Sequence, residues 1–137
     1  MKFARYIVFA AAALLCGCEG VSPHFYPLAG NAQFAGAPRS AESVEIFITK
    51  KPEYKYRELG MITYEIPASY PNEPEVYEAM RRKAAEIGAD AIIIMDSQSN
   101  IENMPRLSLD YYGFPYETSE ARAYIKYRAM AISKSGK

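Results

Sequence analysis

From residue 44 onward, apolar and polar positions fall into short, recognisable periods. Residues 44–49 are β-branched and put Val44, Ile46 and Ile48 on one face, the pattern of a half-buried strand. Lys50-Lys51-Pro52-Glu53 ends it, because proline has no N–H to give a central ladder. Residues 56–66, "YRELGMITYEI", predict a second strand. Gly60 inside it marks a bulge or a close approach of two backbones. After Pro67, Pro71 and Pro74 the period changes. Val76, Met80, Ala84 and Ile87 recur at helical spacing, with Glu78, Arg81, Arg82 and Glu86 mostly on the other face. Asn72 stands at the N-cap with Glu75 three residues on, Pro74 sits in the first turn, and Gly88 takes the C′ place. A helix over 73–87 follows.

The apolar run Ala89–Met95, straight after that helix, predicts a strand buried on both faces. Residues 97–119 show no sustained period and predict a long loop. The final strand, 121–132, alternates sharply. Ala121, Ala123, Ile125, Tyr127, Ala129 and Ala131 make a small, packed face, and Arg122, Lys126 and Arg128 make a basic, wet one. The expected fold is α+β, a ββαββ domain over 44–137 with a four-stranded sheet and one main helix on one face.

The residues before this domain divide in two. Residues 19–43 are rich in Gly, Ala, Pro and Ser without a period, so 18–43 is expected to be a flexible tether. Phe25, Tyr26 and Phe34 in it are able to pack on the domain, and His24, the lone histidine, is expected to be solvated. Residues 1–17 have the layout of an export signal, with Lys2 and Arg5 ahead of the apolar run Ile7–Leu15. That run is far shorter than the ~20 residues a spanning helix needs.

Length and charge narrow the classes further. The 137 residues hold one domain, and half of them are apolar, enough for a core. Without Lys2 and Arg5, the sixteen basic residues fall to fourteen against sixteen acidic ones. That balance argues against a nucleic-acid partner, which needs a basic stripe to neutralise phosphates.

Both cysteines, Cys16 and Cys18, lie in Leu15-Cys16-Gly17-Cys18. This stretch resembles the lipobox of bacterial lipoproteins, with a branched aliphatic residue at −3, a small residue at −1 and then the cysteine that is acylated. The resemblance implies cleavage between Gly17 and Cys18, loss of Cys16 with the signal, and diacylglycerol and N-acyl groups on Cys18. It implies attachment to the cell envelope through that lipid. Glu19 is not the Asp that retains Gram-negative lipoproteins in the inner membrane. In a Gram-negative source the expected place is therefore the outer membrane, facing the periplasm. The competing readings are an ordinary secretory signal and a metal half-site. A metal site lacks partners, since two cysteines fall short of the four ligands of structural zinc. No metal or other cofactor is expected.

Catalytic chemistry has few carriers. Cysteine is spent on lipid, histidine lies in the tether, and no phosphate-binding, zinc-protease or serine-hydrolase motif is present. Asp96, Glu102 and Asp110 are the carboxylates a hydrolase would have to use, and their spacing does not single them out. The expectation is a non-enzymatic protein. The positive signal is aromatic: Tyr111, Tyr112, Phe114 and Tyr116 crowd into six residues. Aromatics with polar tips anchor interfaces. With Arg122, Lys126 and Arg128 as a rim, they form a candidate surface for another envelope protein, or alternatively for cell wall or a small ligand. The bland alternative is that the loop folds back and caps a bare sheet face.

Leu59-Gly60-Met61-Ile62 and Ala84-Ala85-Glu86-Ile87-Gly88-Ala89-Asp90-Ala91 together resemble small bacterial envelope domains of the Rcs stress-sensor lipoprotein and YbjQ-like type. The resemblance covers roughly half of the domain and implies its fold. The Rcs sensor uses disulfides within its domain, whereas this chain has no cysteine beyond Cys18, so a mechanism built on those bridges does not transfer.

Overall fold

The computed structural model describes residues 21–30, 36–69 and 71–135. Five strands form one mixed sheet: β1 (His24–Pro27), β2 (Glu45–Phe47), β3 (Tyr56–Pro67), β4 (Ala91–Leu109) and β5 (Pro115–Lys134). Helix α1 (Glu73–Glu86) connects β3 to β4. The spatial order is β1-β3-β5-β4-β2, with β2 parallel to β4 and the other pairs antiparallel. The class is α+β with one helix, as expected. The strand count is not: the sheet has five strands, because His24–Pro27, inside the stretch expected to be a tether, pairs with Gly60–Thr63.

Gly60 explains why that edge closes. A side-chain carbon there would sit 2.4 Å from the Tyr26 carbonyl oxygen and 2.6 Å from the Phe25 ring. Only glycine lets β1 lie this close, and Phe25 covers the bare spot and packs against the core. The ladder to β5 also slips between Glu58 and Gly60, so both features expected of this glycine occur.

The β3-α1-β4 unit is a crossover between two strands that run the same way with β5 between them. That topology drives α1 onto one face. Val76, Ala79, Met80, Ala84 and Ala85 are buried there against Leu59, Ile62, Ile66, Ile92 and Tyr127. Ala129 and Ala131, on the central strand, are small enough to let the helix settle, and the Tyr77 and Tyr127 rings meet edge to face at 6.2 Å. The helix ends close to the expected 87, and Gly88 has φ of 73° at the C′ place. Asn72 is the N-cap, but its side-chain amide donates to Glu75 (3.1 Å) instead of capping a backbone N–H.

Asp90 locks the far end of the sheet. Its carboxylate accepts from the Lys134 N–H (2.8 Å), the Ser133 hydroxyl (3.0 Å) and the Arg39 guanidinium. Burial pushes its pKa up, but these three donors together outweigh burial and hold it below the ordinary carboxylate value. Nearby, Glu45 accepts from Lys134 (2.8 Å) and from the Tyr54 hydroxyl (3.1 Å). Burial first, then that bond to Glu45, pushes the Tyr54 phenol up to about 12.

Candidate functional site

The long loop expected over 97–119 does not exist. Those residues are the distal halves of β4 and β5 and the turn between them. Strand β2 leaves β4 after Ile93, and β3 leaves β5 at Tyr124. Beyond that level, from Asn100 opposite Tyr124 to Leu109 opposite Pro115, the two strands pair only with each other. At ~3.3 Å per residue they form an arm ~30 Å long, projecting from one end of the sheet.

The turn has a local cause. Asp110 and Phe114 face each other (N–H to carbonyl, 2.9 Å) around Tyr111-Tyr112-Gly113, with Gly113 at φ 84°. This is the three-residue hairpin loop in which a left-handed glycine closes the turn. The Asp110 carboxylate accepts from the backbone N–H of Tyr112 (2.9 Å) and of Phe114 (2.8 Å), which stiffens it.

Paired residues share a face, so register sorts the arm's side chains. On the helix side lie Ile101, Asn103, Pro105, Leu107 and Leu109 of β4, opposite Ala123, Ala121, Ser119, Glu117 and Pro115 of β5. On the other side lie Glu102, Met104, Arg106 and Ser108, opposite Arg122, Glu120, Thr118 and Tyr116. The first face is bare and mostly apolar, with Glu117 opposite Leu107 its one charge: Ile101 is 73% exposed and Leu107 69%. The second is laced with charge, Glu120 meeting Arg106 at 3.1 Å and Arg122 at 3.7 Å.

The aromatic residues singled out in the sequence are brought together at the tip. Tyr111 and Tyr112 stack edge to face at 5.4 Å and are 96% and 81% exposed. Phe114 and Tyr116 are exposed beside them. They project away from the body, so they cap no sheet face, and Ala121 and Ala123, expected to be packed, are exposed on the arm. Arg122, Lys126 and Arg128 do line one face of β5, but each has an acidic partner. Lys126 meets Glu65 at 2.8 Å, and Arg128 grips Asp96 with two nitrogens, Nε to Oδ1 at 2.7 Å. The bond to Glu65 raises the Lys126 pKa, and the Arg128 guanidinium lowers that of Asp96.

The three nominated carboxylates are kept apart. Asp96 belongs to the Arg128 pair, Glu102 stands opposite Arg122, and Asp110 is spent on the turn. The six residues from Asp96 to Glu102 along one strand amount to ~20 Å, beyond the ~5–9.5 Å of a glycosidase pair. Among the described residues no group of three or more His, Cys, Asp or Glu is placed to hold a metal ion. Three hollows of about 200, 260 and 300 Å³ lie along α1, β1 and β3, and the tip aromatics line none of these three. No described helix is long and apolar enough to cross a membrane. Gly17 and Cys18 lie outside the described residues.

No protein-family model, curated protein or solved structure matches this chain. The sequence reading found the aromatic cluster and missed the apolar face that leads to it. Its signal was present: Ile101, Pro105, Leu107 and Leu109 already fall at even spacing, and Asp110-Tyr-Tyr-Gly spells the turn.

Proposed function

We propose that this chain is a non-enzymatic lipoprotein, held in the cell envelope by acyl groups on Cys18, whose projecting arm engages another envelope protein. In a Gram-negative cell its place is the outer membrane, with the domain in the periplasm. The observation that carries the reading is the arm itself. A body that is already packed carries 25 residues, 100–124, as a hairpin whose apolar and aromatic tip side chains are exposed among the described residues. Exposed aromatic and apolar clusters of this kind mark interaction sites. The face bearing Tyr116, Arg122, Lys126 and Arg128 offers the partner a polar rim of paired charges.

A photo-reactive residue at Tyr116 or Arg122, activated in native membranes, is expected to capture one dominant protein. Capture of none, with the protein retained instead on purified cell wall, favours a cell-wall-binding module using the same tip.

A further inference from the structure

The direction in which the chain enters the sheet matters here. Strand β1 is antiparallel to β3, which is antiparallel to β5, so β1 and β5 run the same way. The chain preceding His24 therefore leaves the sheet at the end from which the arm projects. Val21, Ser22 and Pro23 stand at the edge of the sheet, between its two faces. They line one hollow with Tyr64, Ala79 and Arg82, on the helix face, and Val21 and Ser22 line another beside Glu65 and Lys126, on the opposite face. Ile101, Leu107 and Leu109 look out from the helix face.

Distance closes the argument. Cys18 precedes Val21 by three residues, so it lies within ~10 Å of Val21 at full extension. From the level of Lys126 to Pro115, eleven residues on, the arm continues for ~36 Å. An anchor that close to the base of an arm projecting from the same end of the sheet brings the arm along the surface in which the anchor is held. The tip is built for a shallow contact. The apolar stretch from Leu107 to Pro115 stands ~10 Å tall, with Glu117 opposite Leu107 at its inner end, which matches the 5–10 Å of an interfacial element and falls short of a span. Its two tip tyrosines and Phe114 are of the ring types that settle at headgroup level. Asp110, the one acid within it, is already held by two backbone N–H groups.

We infer that the helix-side face and tip of the arm lie in the interface of the bilayer that holds Cys18, as a second attachment. This rests on the lipid-anchored reading, and it leaves the opposite face, with Tyr116 and Arg122, to the protein partner. The occupant is a lipid surface, chosen over a protein because Cys18 stands three residues ahead of Val21, at the end of the sheet from which the arm projects, and the helix-side face is the one free of the arm's ion pairs.

The test places single cysteines, each the only free thiol of the processed chain, at Leu107, Ser108, Leu109 and, at the far end of the body, Lys55. Each carries an environment-sensitive fluorophore. The acylated protein is reconstituted into protein-free vesicles of phosphatidylethanolamine and phosphatidylglycerol, with or without nitroxide-labelled lipid. The labels at 107 and 109 are expected to shift to the blue and to lose most of their emission to the nitroxide. The labels at 108 and 55 should keep theirs. Equal, weak quenching at all four positions overturns the inference. So does shielding of 107 and 109 that occurs only in native membranes, since the face then belongs to a protein. Intact mass of the same preparation separates the two readings. An unacylated chain overturns the anchored reading and this inference with it, whereas an acylated chain with unquenched 109 overturns this inference alone.

Discussion

Body and arm share two strands but obey different economies. In β5, Tyr127, Ala129 and Ala131 are buried between α1 and the neighbouring strands, whereas Ala121 and Ala123, in the same alternation, face solvent. The period is continuous and the burial is not. What changes at Tyr124 is the company: β3 ends and α1 lies behind. Alternation in a strand thus reports which side chains share a face, and only the neighbouring elements decide whether that face is a core or a surface.

The sharpest break of this contrast is a cavity in the body. Ile62→Ala or Met80→Ala, each at a site with no exposure, should cost about 2–5 kcal/mol in urea unfolding. A smaller effect is expected where the N-terminal strand joins the body. Gly60→Val drives a side chain into the Tyr26 carbonyl and the Phe25 ring, at about 1–3 kcal/mol. Hydrogen exchange should then speed up at the Leu28 N–H, which donates to the Leu59 carbonyl at 3.0 Å. If that amide stays protected, β1 is not held by this fit.

Asp90→Asn tests the charge lock at the end remote from the arm, at about 1–2 kcal/mol near neutral pH. Its pKa is lower folded than unfolded, so its contribution is complete above the unfolded value near 3.8 and disappears as pH falls through the folded one. The asparagine variant should show a shallower loss of stability over that acid range. The smallest effect belongs to the arm. Leu107→Ser with Leu109→Ser should leave unfolding within about 0.5 kcal/mol of the parent, because both side chains are exposed. A large loss there would mean that the arm packs on something in the isolated chain.

The body was the more legible half, for physical reasons. Helix α1 and strand β3 carry strong periods because each has a buried side, and Gly60 and Gly88 stood where backbone geometry demanded them. The arm hid because Ser97, Gln98, Ser99, Asn100 and Asn103 have little strand preference, and pairing with β5 overrides it. Strand β1 hid for another reason. Its four residues are too few to show a period, and what seats them is a vacancy at Gly60, 33 to 36 residues away. Asp96 was visible as a carboxylate, but its partner Arg128 lies across a ladder whose register slips beside it, between Ile94 and Asp96.

The seat of β1 on β3 also has a mechanical side. Tension on the chain ahead of His24 that is directed along the arm acts parallel to the strand, so all the bonds between His24–Pro27 and Gly60–Thr63 resist together. The Phe25 ring over Gly60 adds a catch against sliding. Tension at right angles, lifting β1 off the sheet edge, opens the same bonds one after another. The join is therefore firm against a pull along the sheet and yielding to a peel, which makes it a directional coupling between the N-terminal segment and the domain.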